Sequence, residues 1–328
     1  MTGLHERVER LWWNQAKPPL WLRCVEPIYA AMSSIHLRRR AAHIIQPPLP
    51  LISVGNITAG GSGKTPFVLW LADMLQSRGY EPVMLCRGDG GKAAKPVVVK
   101  SEDSAAQVGD EAKMLTELSG CPVIAAHDRI AGSRMAEGLG NVIILDDGFQ
   151  YRHLGRCCDI VLVPAEGVGN GHQIPAGPLR EPVAALARAD IVVRTGNRPE
   201  VDNCKALTAK NEYGWIRLPG CLVDVATGAK SAPVDVCAVT AIARPQRFFD
   251  DLQAAGFNLV GNKIFPDHHP FTDRDVDVLL RMHADIAVTA KDAVKLVPLW
   301  PKGRPLWVLP LSAEVQSGLI ETILQNLP

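Results

Sequence analysis

The sequence lacks several features that would point to particular classes of protein. Its eight cysteines form no Cys-x-x-Cys pair, so neither a zinc cage nor a thioredoxin-like redox motif is expected. Scattered thiols in a chain of this size are typical of a reducing cytosol. The formal net charge is only +1, which argues against a nucleic-acid-binding protein that relies on a large basic surface.

Membrane-crossing and secretory segments are not expected either. The most apolar early stretch, residues 20–37, is interrupted by Arg23, Glu26 and Pro27 and would make a poor transmembrane helix. The basic start, apolar centre and cleavage site of a secretory signal do not occur in that order. With 328 residues, 47% of them hydrophobic, the chain is long enough for two globular domains.

From Leu49 onwards, short β-rich runs alternate with helical patterns. Several runs are apolar without alternation, as in parallel strands that helices cover on both faces. The pattern predicts an α/β fold with a doubly wound, mostly parallel sheet of the P-loop NTPase type and ligands at the carboxyl ends of its strands. The predicted organisation is a helical N-terminal segment (1–46), a nucleotide-binding domain (47–212), a short β linker (213–232) and a smaller α/β domain (233–328).

The strongest local signal is TAGGSGKT, which lies between an apolar strand and a helical pattern. Its glycines let backbone N–H groups turn towards phosphate oxygens, and the following helix N-terminus favours anions. Lys64 would reach the β- and γ-phosphates, and the Thr65 hydroxyl would bind Mg²⁺. Thr58 stands where a glycine is usual, and a glycine-rich turn with an incidental lysine is the alternative. The predicted nucleotide-binding residues are Thr58, Ala59, Gly60, Gly61, Ser62, Gly63, Lys64 and Thr65.

Asp146 and Asp147 end the apolar run NVIILDD. Carboxylates at the end of a parallel strand lie in the expected ligand crevice and can hold Mg²⁺. A solvated Asp-Asp-Gly turn is the alternative when these residues are taken alone. No Asn-Lys-x-Asp motif that would read guanine occurs, which favours ATP over GTP.

Two other segments offer groups for acid–base chemistry. Asp110 and Glu111 lie where a loop opens a helix, and capping of that helix explains them equally well from sequence alone. The string FPDHHPF offers His268 and His269. Adjacent histidines are weak evidence for a metal site, because side chains at successive positions rarely converge.

These motifs together carry a resemblance. VGNITAGGSGKTP, VGDE, LDDGFQYR, GPLREP, FPDHHPF and VTAKDAVKL resemble, in order, the motifs of the tetraacyldisaccharide 4′-kinase (lipid A 4′-kinase) family from about Leu11 to about Leu309. The resemblance implies transfer of the γ-phosphoryl group of ATP to the 4′-hydroxyl of a lipid A disaccharide 1-phosphate. It also implies that Asp110 is the general base, assisted by His268, and that Arg180 lies near the phosphates.

The same resemblance places Glu111, Asp146 and Asp147 near Mg²⁺. Two positions depart from the family pattern: Asp89 replaces an aromatic residue, and Tyr151 replaces a histidine. Without the resemblance, a P-loop kinase or ligase of a soluble metabolite and a non-catalytic nucleotide switch both remain open. Because the candidate base and His268 fall in different predicted domains, we expect domain closure to assemble the site.

Residues 1–46 contain seven Lys or Arg and three Glu, together with Trp12, Trp13 and Trp21. Cations beside aromatic bulk are typical of an amphipathic segment that lies on an anionic membrane surface. A helical cap packed on the α/β domain is the alternative. The resemblance favours membrane contact and implies the cytoplasmic face of a Gram-negative inner membrane. No nucleic acid and no obligate protein partner are expected.

Overall fold

The computed structural model describes residues 4–13, 17–60, 63–202, 207, 211–230, 235–242, 244–267, 269–282 and 284–328. The helices in this part of the chain are α1 (Leu4–Trp13), α2 (Leu20–Ala41), α3 (Lys64–Ser77), α4 (Ala105–Val108), α5 (Asp110–Ser119), α6 (Arg129–Met135), α7 (Arg198–Asp202), α8 (Pro245–Ala254), α9 (Asp273–Leu280), α10 (Ala290–Leu296) and α11 (Leu319–Gln325). Two 3₁₀ segments, Val183–Arg188 and Val297–Leu299, complete the helical structure of these residues.

The strands of the same residues form two sheets. They are β1 (Leu51–Asn56), β2 (Pro82–Cys86), β3 (Val97–Val98), β4 (Val123–Ala125), β5 (Val142–Asp146), β6 (Cys158–Pro164), β7 (Ile191–Gly196), β8 (Glu212–Pro219), β9 (Val223–Asp224), β10 (Asp235–Thr240), β11 (Asn258–Ile264), β12 (Asp285–Val288), β13 (Trp307–Val308) and β14 (Leu311–Val315). The alternation of strands and helices confirms the predicted α/β class.

The larger sheet has the strand order β14-β8-β7-β6-β1-β5-β2-β4-β3. Its pairs from β8 to β4 are parallel, whereas β3 and β14 join the two edges in antiparallel orientation. β1 therefore lies between β5 and β6, and the carboxyl ends of these strands share one edge of the sheet. This edge is where an open parallel sheet is expected to bind its ligand.

Side chains of the central strands alternate between two cores. Ile52 and Met84 pack with Phe67 of α3 on one face, whereas their neighbours Leu51 and Val83 pack on the other. Because successive side chains of a strand point to opposite faces, a strand covered by helices on both sides must be apolar throughout. This explains the unbroken apolar runs in the sequence.

The smaller sheet has the order β11-β10-β12-β13-β9, and its pairs are parallel except for β13 with β9. The predicted linker, 213–232, is wrong as a separate unit. β8 continues the larger sheet beside β7, and β9 closes the edge of the smaller sheet. The segment is thus shared between the two domains, because each of its strands hydrogen-bonds to a different sheet.

The predicted C-terminal domain, 233–328, is also wrong at its end. β14 pairs with β8 of the larger sheet, and Leu319 and Ile323 of α11 are buried in the core beside Phe67. The chain therefore crosses between the sheets twice, near 220–222 and near 309–310. Two crossings restrict the relative movement of the domains more than a single linker would.

The N-terminal helices pack on the larger domain. Trp12 of α1 donates its indole N–H to the carbonyl of Pro175 at 3.1 Å. In α2, Glu26 accepts the backbone N–H of Gln173 at 2.7 Å, and Leu22 and Leu37 are buried. None of the described helices combines the length and the apolar character that a bilayer-crossing segment requires.

Candidate functional site

The phosphate loop and the Asp pair meet because β1 and β5 are adjacent and parallel. The loop that follows β1 is held from the other side by residues 178–180. Ala59 donates its N–H to the Pro178 carbonyl, and Arg180 donates its N–H to the Ile57 carbonyl, each at 2.7 Å. These bonds place the backbone of Arg180 beside the start of the loop, so its side chain can reach the Asp pair.

The loop has the conformation that its glycines allow. Gly60 has φ +94°, and Gly63, at the N-cap of α3, has φ +78°. An L-side chain would be strained at either angle. Lys64 is the first residue of α3 and Thr65 the second, so both side chains lie at its N-terminus. Gly61 and Ser62, also predicted to bind nucleotide, lie outside the described residues.

Three charged side chains, Lys64, Asp147 and Arg180, lie together at the centre of the site. The Lys64 ammonium lies 3.2 Å from Oδ1 of Asp147, and Nη1 of Arg180 lies 3.2 Å from Oδ2 of the same carboxylate. Each residue comes from a different segment: the start of α3, the end of β5 and the loop after residue 178. In this structure Asp147 balances the charge of both cations.

Asp147 is held in an unusual conformation. Its φ is +52°, the one positive value among the described residues other than glycine. Aspartate tolerates this region better than most residues, and such backbones are concentrated at functional sites. Burial raises the pKa of Asp147, but the cations Lys64 and Arg180 outweigh burial and hold it well below its usual range. Asp147 is therefore an anion at neutral pH.

Asp146 has the opposite electrostatic environment. Its side chain is fully buried, and burial followed by the neighbouring carboxylate of Glu111 raises its pKa well above the usual value. Oδ1 accepts the backbone N–H of Asp147 at 2.9 Å, whereas Oδ2 is buried with no hydrogen-bond partner among the described residues. A buried carboxylate beside a second one, with an unused oxygen, is an arrangement that a cation would stabilise.

This donor set fits Mg²⁺ better than a metal held by protein alone. In the part of the chain that the structure describes, no three His, Cys, Asp or Glu side chains form a metal-binding cluster. Mg²⁺ is usually held by one or two carboxylates together with phosphate oxygens and water. The unused oxygen of Asp146, the carboxylate of Glu111 and the hydroxyl of Thr65 provide protein ligands of that kind.

Asp110 is the first residue of α5, and its N-cap is Gly109. Asp110 is therefore the first residue of the helix, and not the N-cap residue that the alternative interpretation would make it. Gly109 has φ +95°, and a Cβ on it would lie 2.6 Å from the carbonyl oxygen of Asp89. The turn at Asp89 thus packs directly against the loop that carries Asp110.

Asp110 forms an ion pair with Lys295 of α10, a helix of the smaller domain. The two domains are therefore in contact at the candidate base. His268, the predicted assistant of that base, lies outside the described residues. Its neighbour His269 stacks on Phe265 with ring centroids 4.8 Å apart and lies 3.2 Å from Asp275. His269 thus stabilises its own loop.

The two departures from the family pattern have structural accounts. Asp89 forms an exposed ion pair with Arg87 at 3.0 Å. Two guanidinium groups lie over the ring of Tyr151, that of Arg40 of α2 at 5.2 Å from its centroid and that of Arg129 at 5.0 Å. Tyr151 therefore helps to attach the C-terminal end of α2 to the larger domain.

Sequence reasoning missed Lys295 and the residues that support Arg180. Lys295 lies within the string VTAKDAVKL, whose residues suggest no chemical role on their own. Gln150 donates to the Asn56 carbonyl at 2.9 Å and to Glu181 at 3.1 Å, which joins three of the motif segments. The only sequence signal for these residues was their place inside family motifs, since their partners lie about 30 to 185 residues away in the chain.

Comparison with known proteins identifies the family. Residues 19–328 match the model of the tetraacyldisaccharide-1-P 4′-kinase family. The tetraacyldisaccharide 4′-kinase of Aeromonas salmonicida is 37% identical over 98% of this chain and 96% of its own. That of Dechloromonas aromatica is 35% identical over 98% and 97%. A crystal structure of LpxK from Aquifex aeolicus in complex with ATP has a TM-score of 0.77 and 28% identity, and the match covers 92% of this chain and 97% of that one. The chain belongs to the tetraacyldisaccharide-1-P 4′-kinase family.

Proposed function

We propose that this protein transfers the γ-phosphoryl group of ATP to the 4′-hydroxyl of a tetraacyldisaccharide 1-phosphate in lipid A biosynthesis. The observation that carries the proposal is the 3.2 Å contact between Lys64 of the phosphate loop and Asp147 at the end of the neighbouring strand. A lysine and a carboxylate at adjacent strand ends form the core of a Mg²⁺·ATP site in P-loop kinases. Family membership supplies the acceptor.

The proposed roles follow from the charges. Lys64 and Arg180 would bind the β- and γ-phosphates, the arginine through its two-pronged guanidinium group. The residues that would hold Mg²⁺, which neutralises charge on those phosphates, are Thr65, Glu111, Asp146 and Asp147. The backbone N–H groups of residues 58–65 would cradle the phosphate oxygens.

Asp110 would accept the proton of the 4′-hydroxyl as that oxygen attacks the γ-phosphorus, and His268 would assist it. The bond between the γ-phosphorus and the β–γ bridging oxygen breaks, and its electron pair leaves with ADP. The ion pair with Lys295 supports this assignment, because it holds the Asp110 carboxylate at the boundary between the domains. An acceptor that lies between the domains would meet this carboxylate and the phosphate loop together.

We also propose that α2 docks the enzyme on the cytoplasmic face of the inner membrane. Its outer face is an apolar stripe consisting of Trp21, Val25, Ile28, Met32 and Ile35, with Trp21 and Met32 each 67% exposed. These positions recur at helical spacing, and Arg38, Arg39 and Arg40 follow at the C-terminal end. An apolar face with adjacent arginines suits an anionic lipid surface.

Membrane docking also has an energetic reason. Withdrawal of an acyl chain from the bilayer costs about 0.8 kcal/mol per CH₂ group. A substrate with four acyl chains therefore stays in the membrane, and the enzyme must reach its headgroup there. The stripe on α2 would bring the candidate site close to that headgroup.

The test is transfer of ³²P from γ-labelled ATP to a lipid A disaccharide 1-phosphate in mixed micelles. Wild type is compared with Lys64→Ala and Asp110→Ala. We expect labelled lipid from wild type and a strong reduction in both variants. One outcome would contradict the proposed acceptor: ATP hydrolysis that depends on Lys64, with no labelled lipid from any of the proteins. The proposed nucleotide site would then still stand.

A further inference from the structure

Arg244 of the smaller domain faces the phosphate loop of the larger one. It is the N-cap residue of α8 and follows the carboxyl end of β10. A Cβ built on Gly60 would lie 3.8 Å from both Nε and Nη2 of Arg244. The loop residue and the guanidinium group are thus neighbours in space, separated by little more than the room for one methyl group, although they are 184 positions apart in the sequence.

The guanidinium group is buried and incompletely paired. The Arg244 side chain is 11% exposed, and its Nε and Nη2 are buried with no hydrogen-bond partner in the described part of the chain. The carboxylates nearest to it, Glu9 at 3.9 Å and Glu166 at 3.8 Å, lie beyond hydrogen-bond distance. Buried N–H groups without partners are costly, so their persistence at this point calls for a ligand.

A neighbouring arginine shows what a purely structural role requires here. Arg247, one turn along α8, binds both oxygens of Glu166 through Nη2, at 2.6 and 2.8 Å. That pair already joins the two domains. Arg244 instead stacks on the ring of Trp13 in α1, with its guanidinium carbon 3.6 Å from the ring centroid. The stacking orients the group and leaves its N–H donors unused.

Charge and position together select an anion as the ligand. Burial and the nearby Arg247 lower the pKa of Arg244 to about 10, so the group remains a cation at neutral pH. Gly60 lies in the part of the loop whose backbone surrounds the β- and γ-phosphates, with Lys64 following on α3. An anion bound by the loop near Gly60 would therefore meet a second cation in addition to Lys64.

We propose that Arg244 is a catalytic arginine that donates Nε–H and Nη2–H to the γ-phosphoryl group of ATP during transfer. This inference rests on the proposed ATP-dependent function. As the bond from the γ-phosphorus to the β–γ bridging oxygen breaks and the bond to the acceptor oxygen forms, negative charge spreads over the equatorial oxygens. Arg244 stabilises that charge and exchanges no proton, while Asp110 takes the proton of the acceptor.

The geometry also assigns a positioning role to α1. Trp13 stacks on Arg244, and Glu9 attracts it from the same helix. The N-terminal segment would thus serve the reaction centre as well as the membrane. The smaller domain would supply the arginine from the same chain, where some other P-loop enzymes receive one from a partner protein.

The test compares Arg244→Ala and Arg244→Lys with Arg247→Ala, a matched control on the same helix. The readouts are kcat for lipid phosphorylation, the Kd for ATP, the Kd for ADP with aluminium fluoride and the Tm. We expect Arg244→Ala to lower kcat by about 10²- to 10³-fold. Its affinity for the ADP–aluminium fluoride complex should fall at least tenfold more than its affinity for ATP.

Arg244→Lys keeps the charge but not the two-pronged group, so we expect at least a tenfold loss of kcat with little change in Tm. Arg247→Ala should keep kcat within about threefold. The proposal is overturned if Arg244→Ala keeps kcat within threefold of wild type, or loses no more than Arg247→Ala. Equal losses of affinity for ATP and for the fluoride complex would also overturn it.

The fluoride measurement needs no lipid acceptor, so it separates the two proposals. If wild type transfers no phosphate to the lipid but binds the fluoride complex through Arg244, the acceptor assignment fails and the arginine assignment stands. In the opposite case, wild type labels the lipid, but Arg244→Lys and Arg244→Ala change kcat no more than Arg247→Ala does. Only the arginine assignment then fails.

Discussion

Lys295 of α10 and Asp110 of α5 form an ion pair that joins the smaller domain to the candidate base of the larger one. The Lys295 side chain is only 8% exposed. Its ammonium also lies 3.5 Å from the carbonyl of His269. A buried cation that contacts both the candidate base and the loop after β11 fixes the distance between these two elements.

Lys295→Met should lower kcat by about 10- to 100-fold, because a small displacement of a catalytic group costs about that much. The KM for ATP should change less than threefold, since the phosphate loop belongs to the larger domain. Steady-state transfer kinetics provide the measurement. Lys295→Arg should retain most of the activity, and exposed Lys302→Met serves as the control. An unchanged kcat in Lys295→Met would show that the ion pair has no part in the reaction.

Asp110→Asn should reduce kcat by about 10²- to 10⁴-fold, the range for loss of a general base. ATP binding, measured by calorimetry, should be preserved because the phosphates contact other residues. Glu117→Gln is a matched control on the same helix, where Glu117 pairs with Lys113 at 2.9 Å. Comparable losses of kcat in Asp110→Asn and Glu117→Gln would indicate that α5 is merely destabilised.

Asp146→Asn should stabilise the metal-free protein at neutral pH by about 1 kcal/mol or more, the lower end of the cost of an unsatisfied buried polar group. The folded-state pKa of Asp146 is raised, so its contribution to stability is fully present below the unfolded pKa of about 3.9 and is lost as pH rises above it. The amide side chain of the Asp146→Asn variant does not ionise, so the variant does not lose stability in this way. Urea unfolding at several pH values without Mg²⁺ measures the effect, and kinase activity should fall sharply.

Asp147→Asn is the internal comparison, because its pKa shift has the opposite sign. The folded-state pKa of Asp147 is lowered, so its contribution is present above about pH 3.9 and is lost as pH falls through the folded value. We expect Asp147→Asn to be destabilising at neutral pH and to approach wild type in acid. Stability changes of the same sign in the two variants at pH 7 would refute the assigned charges.

Replacement of Trp21, Ile28 and Met32 by serine should weaken binding to phosphatidylglycerol-containing vesicles by at least tenfold. Co-sedimentation measures the binding, which should also weaken as salt rises because the arginines at the end of α2 contribute. Val260→Ser with Ile264→Ser is the control, since these residues of β11 are about half exposed outside α2. Equal vesicle binding by the α2 variant and the β11 control would show that α2 does not contact the membrane.

The sequence predicted the α/β class of the fold because the signals for it are local. Apolar runs such as that of β5 and the glycines before α3 specify a parallel sheet and a phosphate loop without reference to distant residues. The role of β14 was not predictable in the same way. Its five residues resemble any short strand, and their pairing with β8 depends on a hydrogen-bonding edge that forms only when the larger sheet has folded.

By itself, then, the sequence determined the fold class, the phosphate loop and the acidic strand end, because local periodicity and glycine positions are set by neighbouring residues. Only the tertiary structure decided which charges meet. Asp147 faces Lys64 and Arg180, Asp110 faces Lys295, and Arg244 faces Gly60. These contacts join segments that lie far apart in the chain, and they form because strand order and domain crossing bring the segments together. Spacing in the sequence does not encode such distances.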